Sequence, residues 1–245
     1  MIKLENIYKS FDGNQVLRDM SLEIPTGETL LILGKSGSGK SVTLKLILKL
    51  LEPDQGRIFI ENEEITDYND RQMTKLRKKM GMLFQGAALF DSMTVWENLA
   101  YPLREHQKMN IYQMDEKIEE ALGFVNLVGS ENKMPSELSG GMKKRVALAR
   151  AMIMQPDYIF YDEPTTGLDP ITASTINNLI IKTRENLGVT SVVVTHDMVS
   201  AFYVGTKFSF LHEGEIIFYG SADEIRNSKN QHIQDFLREA QWHER

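Results

Sequence analysis

One stretch of eight residues constrains this chain more than any other: Gly34-Lys35-Ser36-Gly37-Ser38-Gly39-Lys40-Ser41. It follows the apolar run Leu30-Leu31-Ile32-Leu33 and opens a helix-forming segment, Ser41–Leu51, so the chain reads strand, glycine-rich loop, helix. Glycines let the backbone curl until successive N–H groups face one anion. The helix that follows turns the positive end of its dipole to the same point. In the pattern G-x-x-x-x-G-K-[ST], Lys40 brings a mobile charge to β- and γ-phosphates, and the Ser41 hydroxyl is a ligand for Mg²⁺.

The rest of the chain alternates in kind. Ile2–Ile7 and Val16–Ile24 read as strands around the turn Asp12-Gly13-Asn14, and Arg57–Ile60 as another after Glu52-Pro53-Asp54-Gln55-Gly56. From about Asp70 to Ala151 the texture is mostly helical and rich in charge. Tyr158–Tyr161 and Ser191–Thr195 are strand-like, Pro170–Leu187 is helical, and Phe208–Leu211 with Glu215–Tyr219 form a hairpin around Glu213-Gly214. Strand–helix alternation implies a parallel core sheet, hence an α/β fold. The helical middle, about residues 86–155, reads as an inserted lobe on a single domain, with a tail at about 221–245.

Composition narrows the class. At 245 residues, with 42% hydrophobic and 25% charged, the chain has ordinary globular composition. A net charge of −6 argues against a general nucleic-acid binder, which needs a basic surface. The absence of cysteine excludes disulfides and thiolate chemistry. No apolar run reaches the ~20 residues a spanning helix needs, and Met1–Asn6 has no apolar signal core. Any membrane part is therefore expected on another chain.

Two further motifs carry chemistry. Tyr158-Ile159-Phe160-Tyr161 runs into Asp162-Glu163-Pro164. Beside a phosphate loop, Asp162 is placed to hold Mg²⁺ through its water shell, and Glu163 to polarise an attacking water. Leu138-Ser139-Gly140-Gly141-Met142 precedes the helical run Lys143–Met152 and makes a second anion site at a helix N-terminus.

A phosphate loop, then Leu-Ser-Gly-Gly before a helix, then a strand-end Asp-Glu resembles the ABC-type ATPases over nearly the whole chain. The resemblance implies a phosphate-loop core with an antiparallel β-subdomain and an inserted helical subdomain. It implies that ATP, with Mg²⁺, lies between two copies arranged head to tail. One copy gives Gly34, Lys35, Ser36, Gly37, Ser38, Gly39, Lys40, Ser41 and Thr43, and the other gives Ser139, Gly140 and Gly141. It further implies that Phe11 stacks on adenine, Gln85 touches Mg²⁺ and the attacking water, His196 contacts the γ-phosphate, and Asp169 lies in a loop crossing the dimer interface. Met142 departs from the family pattern, which has a polar residue there.

Residues 141–150, Leu83–Phe90 and Tyr101–His106 are similar to the ATPases of Mla-type phospholipid transporters. That likeness implies a separate permease, an Mce-domain lipid-binding protein, and a place on the cytoplasmic face of the inner membrane. The alternative is the ATPase of an importer for amino acids or another small solute. Leu89, Phe90 and Met93 are expected either in a groove receiving a permease helix or inside the lobe. Ile233, Phe236, Leu237 and Ala240 recur at helical spacing before Trp242 and are expected to bury one stripe on this domain or on a second copy.

Overall fold

The first two strands alternate in burial but lose register after Leu4, where Asn6 takes a left-handed φ of 49°. This bulge breaks the alternation that ends the sequence-predicted strand at Ile7, and the strand in fact runs on to Phe11. The computed structural model describes residues 1–239. They fall into two units: Met1–Lys75 with the chain from Thr190 onward, and Leu76–Val189.

The first unit begins with β1 (Ile2–Phe11) and β2 (Asn14–Ile24), paired antiparallel with Ile2 opposite Ile24 and Leu4 opposite Leu22. Next come the fully buried β3 (Thr29–Leu33), α1 (Lys40–Ile47), β4 (Gln55–Ile60) and β5 (Glu63–Glu64). The order β2-β1-β4-β5 makes an antiparallel sheet. Helix α1 stops at Ile47, short of the expected Leu51. Lys49 turns left-handed at φ 53°, and the Leu50 and Leu51 N–H groups both donate to the Lys45 carbonyl, closing the helix end. Helix α2 (Asp70–Arg77) lies where the two units divide.

The second unit holds β6 (Met80–Leu83), α3 (Val95–His106), α4 (Ile111–Phe124), α5 (Gly140–Met152), β7 (Tyr158–Asp162) and α6 (Pro170–Leu187). Strand β6 corrects the expectation of helix through this stretch. It pairs parallel with β7, Leu83 opposite Tyr161, and four residues are too few to carry a strand period against a helical background. Thr94 with Glu97, and Asn110 with Gln113, form reciprocal capping boxes that start α3 and α4.

The chain returns to the first unit with β8 (Thr190–Val194), α7 (Met198–Val204), β9 (Lys207–His212), β10 (Glu215–Gly220), α8 (Ala222–Arg226) and α9 (Gln231–Glu239). Strand β3 lies between β8 and β9, parallel to both, with β10 antiparallel outside β9. This is the expected α/β core with an antiparallel β-subdomain. On α9, Ile233, Phe236 and Leu237 are buried, and the Phe236 ring meets Phe210 edge-on at 4.9 Å. The stripe thus packs on its own unit. Ala240 and Trp242 lie outside the described residues.

Candidate active site

In the first unit, β3 ends and the chain turns sharply at Gly34, φ 151°. A side chain there would place Cβ 2.3 Å from the Leu211 carbonyl oxygen and 2.8 Å from Ser38 Oγ, so only glycine fits. Lys40 Nζ folds back across the loop and donates to the carbonyls of Gly34 at 2.7 Å and Lys35 at 2.9 Å. Helix α1 starts at Gly39, which is left-handed and gives no side-chain cap. A helix N-terminus without a side-chain cap is an arrangement that suits an anion.

Ser38 Oγ is buried with no protein partner among the described residues. A buried hydroxyl without a partner is costly, and a phosphate oxygen is the acceptor that fits this loop. The Thr43 hydroxyl donates to the Gly39 carbonyl at 3.1 Å. Lys35 Nζ reaches Glu239 of α9 at 2.9 Å. Phe11, at the end of β1, is 38% exposed, and Lys9 Nζ sits 5.4 Å from its ring centroid. His196 is exposed just beyond β8, and Asp197 caps α7 by accepting from Val199 and Ser200 N–H.

The second unit holds the other elements. Gln85 is exposed directly after β6. Asp162 is the last residue of β7, and Glu163 follows with a left-handed φ of 49°. Thr166 Oγ1 donates to Glu163 Oε2 at 2.9 Å. Ser139 caps α5, its Oγ accepting from the Met142 N–H at 3.3 Å. Met142 therefore contributes through its backbone, and its apolar side chain leaves the cap intact. Asp169 caps α6 by accepting from the Ile171 and Thr172 N–H groups and from Thr172 Oγ1 at 2.6 Å. The Thr172 side-chain bond, followed by its backbone bond, holds the Asp169 carboxyl below the usual range. The same Thr172 packs on the start of α5. A Cβ added to Gly141 would come within 2.3 Å of Thr172 Cγ2.

Gly141→Ala should therefore destabilise the fold by about 1–3 kcal/mol through overpacking. Adding Thr172→Ser, which deletes that methyl, should recover most of the loss. Urea denaturation of the single and double variants checks this, and an Ala variant as stable as the parent would refute the packing role.

Three basic residues on α5 were not singled out from the sequence. Lys144, 4% exposed, donates to the Glu163 carbonyl at 3.1 Å. Burial lowers its pKa, opposed by the charges of Asp162 and Glu163. Arg145 donates to the Val125 and Asn126 carbonyls at the end of α4. Arg150 donates to the carbonyls of Ala87 and Ala88, both left-handed, and lies 5.6 Å from the Phe90 ring. The sequence signal was a run of cations on a helix whose opposite charges are few, which usually marks a solvated face. Asn98, fully buried, accepts from Phe90 N and donates to the Phe90, Met93 and Thr94 carbonyls.

Among the described residues no three His, Cys, Asp or Glu side chains converge on a metal site. Mg²⁺ in phosphate-loop enzymes is bound through one or two protein oxygens plus the substrate's phosphates. Ser41, at the start of α1, and Asp162, at the end of β7, each carry an oxygen of the kind that would hold Mg²⁺, and the ion would neutralise phosphate charge.

A strand–loop–helix anion cradle and a second parallel strand ending in two carboxylates define a phosphate-loop nucleotide-hydrolysing domain. The chain belongs to the ABC transporter family, which residues 17–166 match, and it is the nucleotide-binding ATPase part of such a system. It is 36% identical over 236 residues to the probable ribonucleotide transport ATP-binding protein mkl of Mycobacterium leprae, covering 96% of this chain and 68% of that protein. It is 40% identical over 226 residues to the intermembrane phospholipid transport system ATP-binding protein MlaF of Escherichia coli, covering 92% and 84%. Its structure is similar to the ATP-binding cassette MJ0796 in a dimeric post-hydrolysis state with ADP and Pi. There the TM-score is 0.84 and the identity 35%, with 90% of this chain and 98% of that one covered.

Proposed function

We propose that this ATPase works as a head-to-tail pair of copies and powers phospholipid movement between membranes through a separate permease, with an Mce-domain protein as lipid carrier. The observation that carries the pairing is the start of α5. Ser139 and Gly140 are exposed at the N-terminus of that helix, the end that favours an anion. The cassette that this chain resembles is dimeric, which supports a pair of copies. In the reaction, Lys40 and the loop N–H groups hold the phosphates, Phe11 stacks on the base, and His196 contacts the γ-phosphate. Glu163 orients and polarises the water, and Gln85 lies beside it. Phosphoryl transfer needs mainly this positioning and charge stabilisation.

The lipid reading is supported by the name of the E. coli relative, a phospholipid transport ATP-binding protein, while the mycobacterial relative's name points to ribonucleotides. Among the described residues no helix is long and apolar enough to cross a membrane, and we assign the transport path to partner chains. The docking face we assign is Phe90 with Tyr101. Their rings are 5.1 Å apart, and both are about 42% exposed.

Phe90→Asp should leave nucleotide binding by the isolated chain intact and release it from the permease, because a charge buried without a partner is costly. Affinity purification from native membranes checks both claims. The parent should bring down a permease and an Mce-domain protein, and the variant neither. Recovery of a solute-binding protein with a solute permease would overturn the lipid reading and leave the ATPase untouched.

A further inference from the structure

We propose that Lys144 is a positioning residue for Glu163, and that it ties the carboxylate of one ATP site to the Ser139-Gly140-Gly141 turn that closes the other. The proposal rests on the reading that Glu163 polarises water in a paired, head-to-tail assembly.

Glu163 sits in the left-handed region at φ 49°, a conformation that is strained for a non-glycine residue. Such a backbone persists only when its surroundings hold it. The Thr166 N–H donates to the Glu163 carbonyl at 3.4 Å, and two side chains hold the residue from opposite ends. Thr166 Oγ1 donates to the carboxylate at 2.9 Å, and Lys144 Nζ donates to the main-chain carbonyl at 3.1 Å. The second is a charge-assisted bond from a side chain that is 4% exposed. An ammonium so far from water is costly unless it is held, so Lys144 and the Glu163 peptide fix each other. Burial lowers the lysine's pKa while Asp162 and Glu163 act to raise it, which places both carboxylates within its electrostatic reach.

Lys144 lies one helical turn beyond Gly141 on α5. Gly141 is packed against Thr172, whose hydroxyl and N–H are held by Asp169. A helix transmits a shift of its first turn rigidly over so short a distance. An anion drawing in the N–H groups after Ser139 therefore moves the anchor of Glu163 in the same chain, which serves the opposite site.

The test uses the full-length protein with Lys144→Met, Lys144→Gln and Lys144→Arg, each measured for ATP kcat and KM, fluorescent-nucleotide binding and melting temperature. Lys144→Met should lower kcat about 10- to 100-fold, the scale of a misplaced reacting group, with KM changed less than about twofold on the same ground that the phosphate loop is untouched. Lys144→Gln, a neutral donor, should fall between, and Lys144→Arg should restore most of the rate. If Lys144→Met does not fold, the Gln and Arg variants carry the comparison.

Mixed dimers in which one chain carries Ser139→Arg have one intact site, whose Glu163 lies on that same chain. Lys144→Met on that chain should cut the remaining turnover more than on the other chain, and equal loss on either overturns the assignment of Lys144 to the Glu163 of its own chain. The cross-site link is read in the same dimer with Lys144 unaltered: the intact site should turn over more slowly than one site of the parent, because the turn that anchors its Glu163 is disturbed, and half the parent dimer's rate overturns the link. Full turnover in both neutral variants, or loss in all three tracking melting temperature, overturns the positioning role. Glu163→Gln is run alongside. If it turns over normally, the role of Glu163 itself fails; if it is inactive while Lys144→Met is unchanged, only the present proposal fails.

Discussion

Glu163→Gln is expected to keep nucleotide binding and to lose ATP turnover by about 10²–10⁴-fold, the range for removing a positioned general base. Glutamine keeps the size and the Thr166 contact at 2.9 Å but cannot take a proton or polarise water as a carboxylate does. The lysine-held backbone is unaltered, since Lys144 binds the main-chain carbonyl and not the side chain. Because hydrolysis ends the closed state, the variant should accumulate as an ATP-bound dimer. Size-exclusion chromatography with Mg-ATP, beside a phosphate-release assay, checks both halves. Turnover at the parent rate would remove Glu163 from the chemistry.

The second large effect concerns the two halves of the composite site. Lys40→Ala removes the cation that bridges the Gly34 and Lys35 carbonyls and that we propose meets the phosphates. It should weaken nucleotide binding by a single chain by about 10²-fold or more, corresponding to the roughly 3 kcal/mol of a strong charge-assisted bond. Ser139→Arg should leave single-chain binding within about twofold, because Ser139 belongs to the anion end of α5 rather than to the loop. It should nevertheless abolish ATP-driven dimerisation. Mixed in equal amounts, the two variants should recover partial closure, since one chain supplies Lys40 and the other Ser139. Sedimentation velocity reads the dimer directly. Closure by Ser139→Arg alone would count against the shared site.

Much of this was legible in the residues because the chemistry sits in contiguous runs. Gly34–Ser41, Leu138–Met142 and Asp162-Glu163 each combine a backbone requirement with a side-chain requirement within a few positions. The hairpin around Glu213-Gly214 was equally plain, and both residues take positive φ, as such a turn demands. What was less legible lies at short elements and at long-range polar contacts. Strand β6 is four residues long, and only its pairing with β7 makes it a strand. The end of α1 depended on a left-handed Lys49 that no residue type announces. The tail stripe suggested a helix but not its seat, and the seat on Phe210 needed the fold.

The sequence by itself determined the α/β class, the phosphate loop and the family, because glycine spacing, a strand before the loop and a helix after it are local properties of the chain. Only the tertiary structure decided what the cations of α5 do. In the sequence Lys144, Arg145 and Arg150 stand only as part of the run at residues 141–150. In the fold they turn inward to main-chain carbonyls at Glu163, at Val125 and Asn126, and at Ala87 and Ala88. The physical reason is that a carbonyl oxygen is present at every residue and leaves no mark in sequence. Which carbonyls are left over by strands and helix ends, and so need a buried cation, is fixed only when those ends come together.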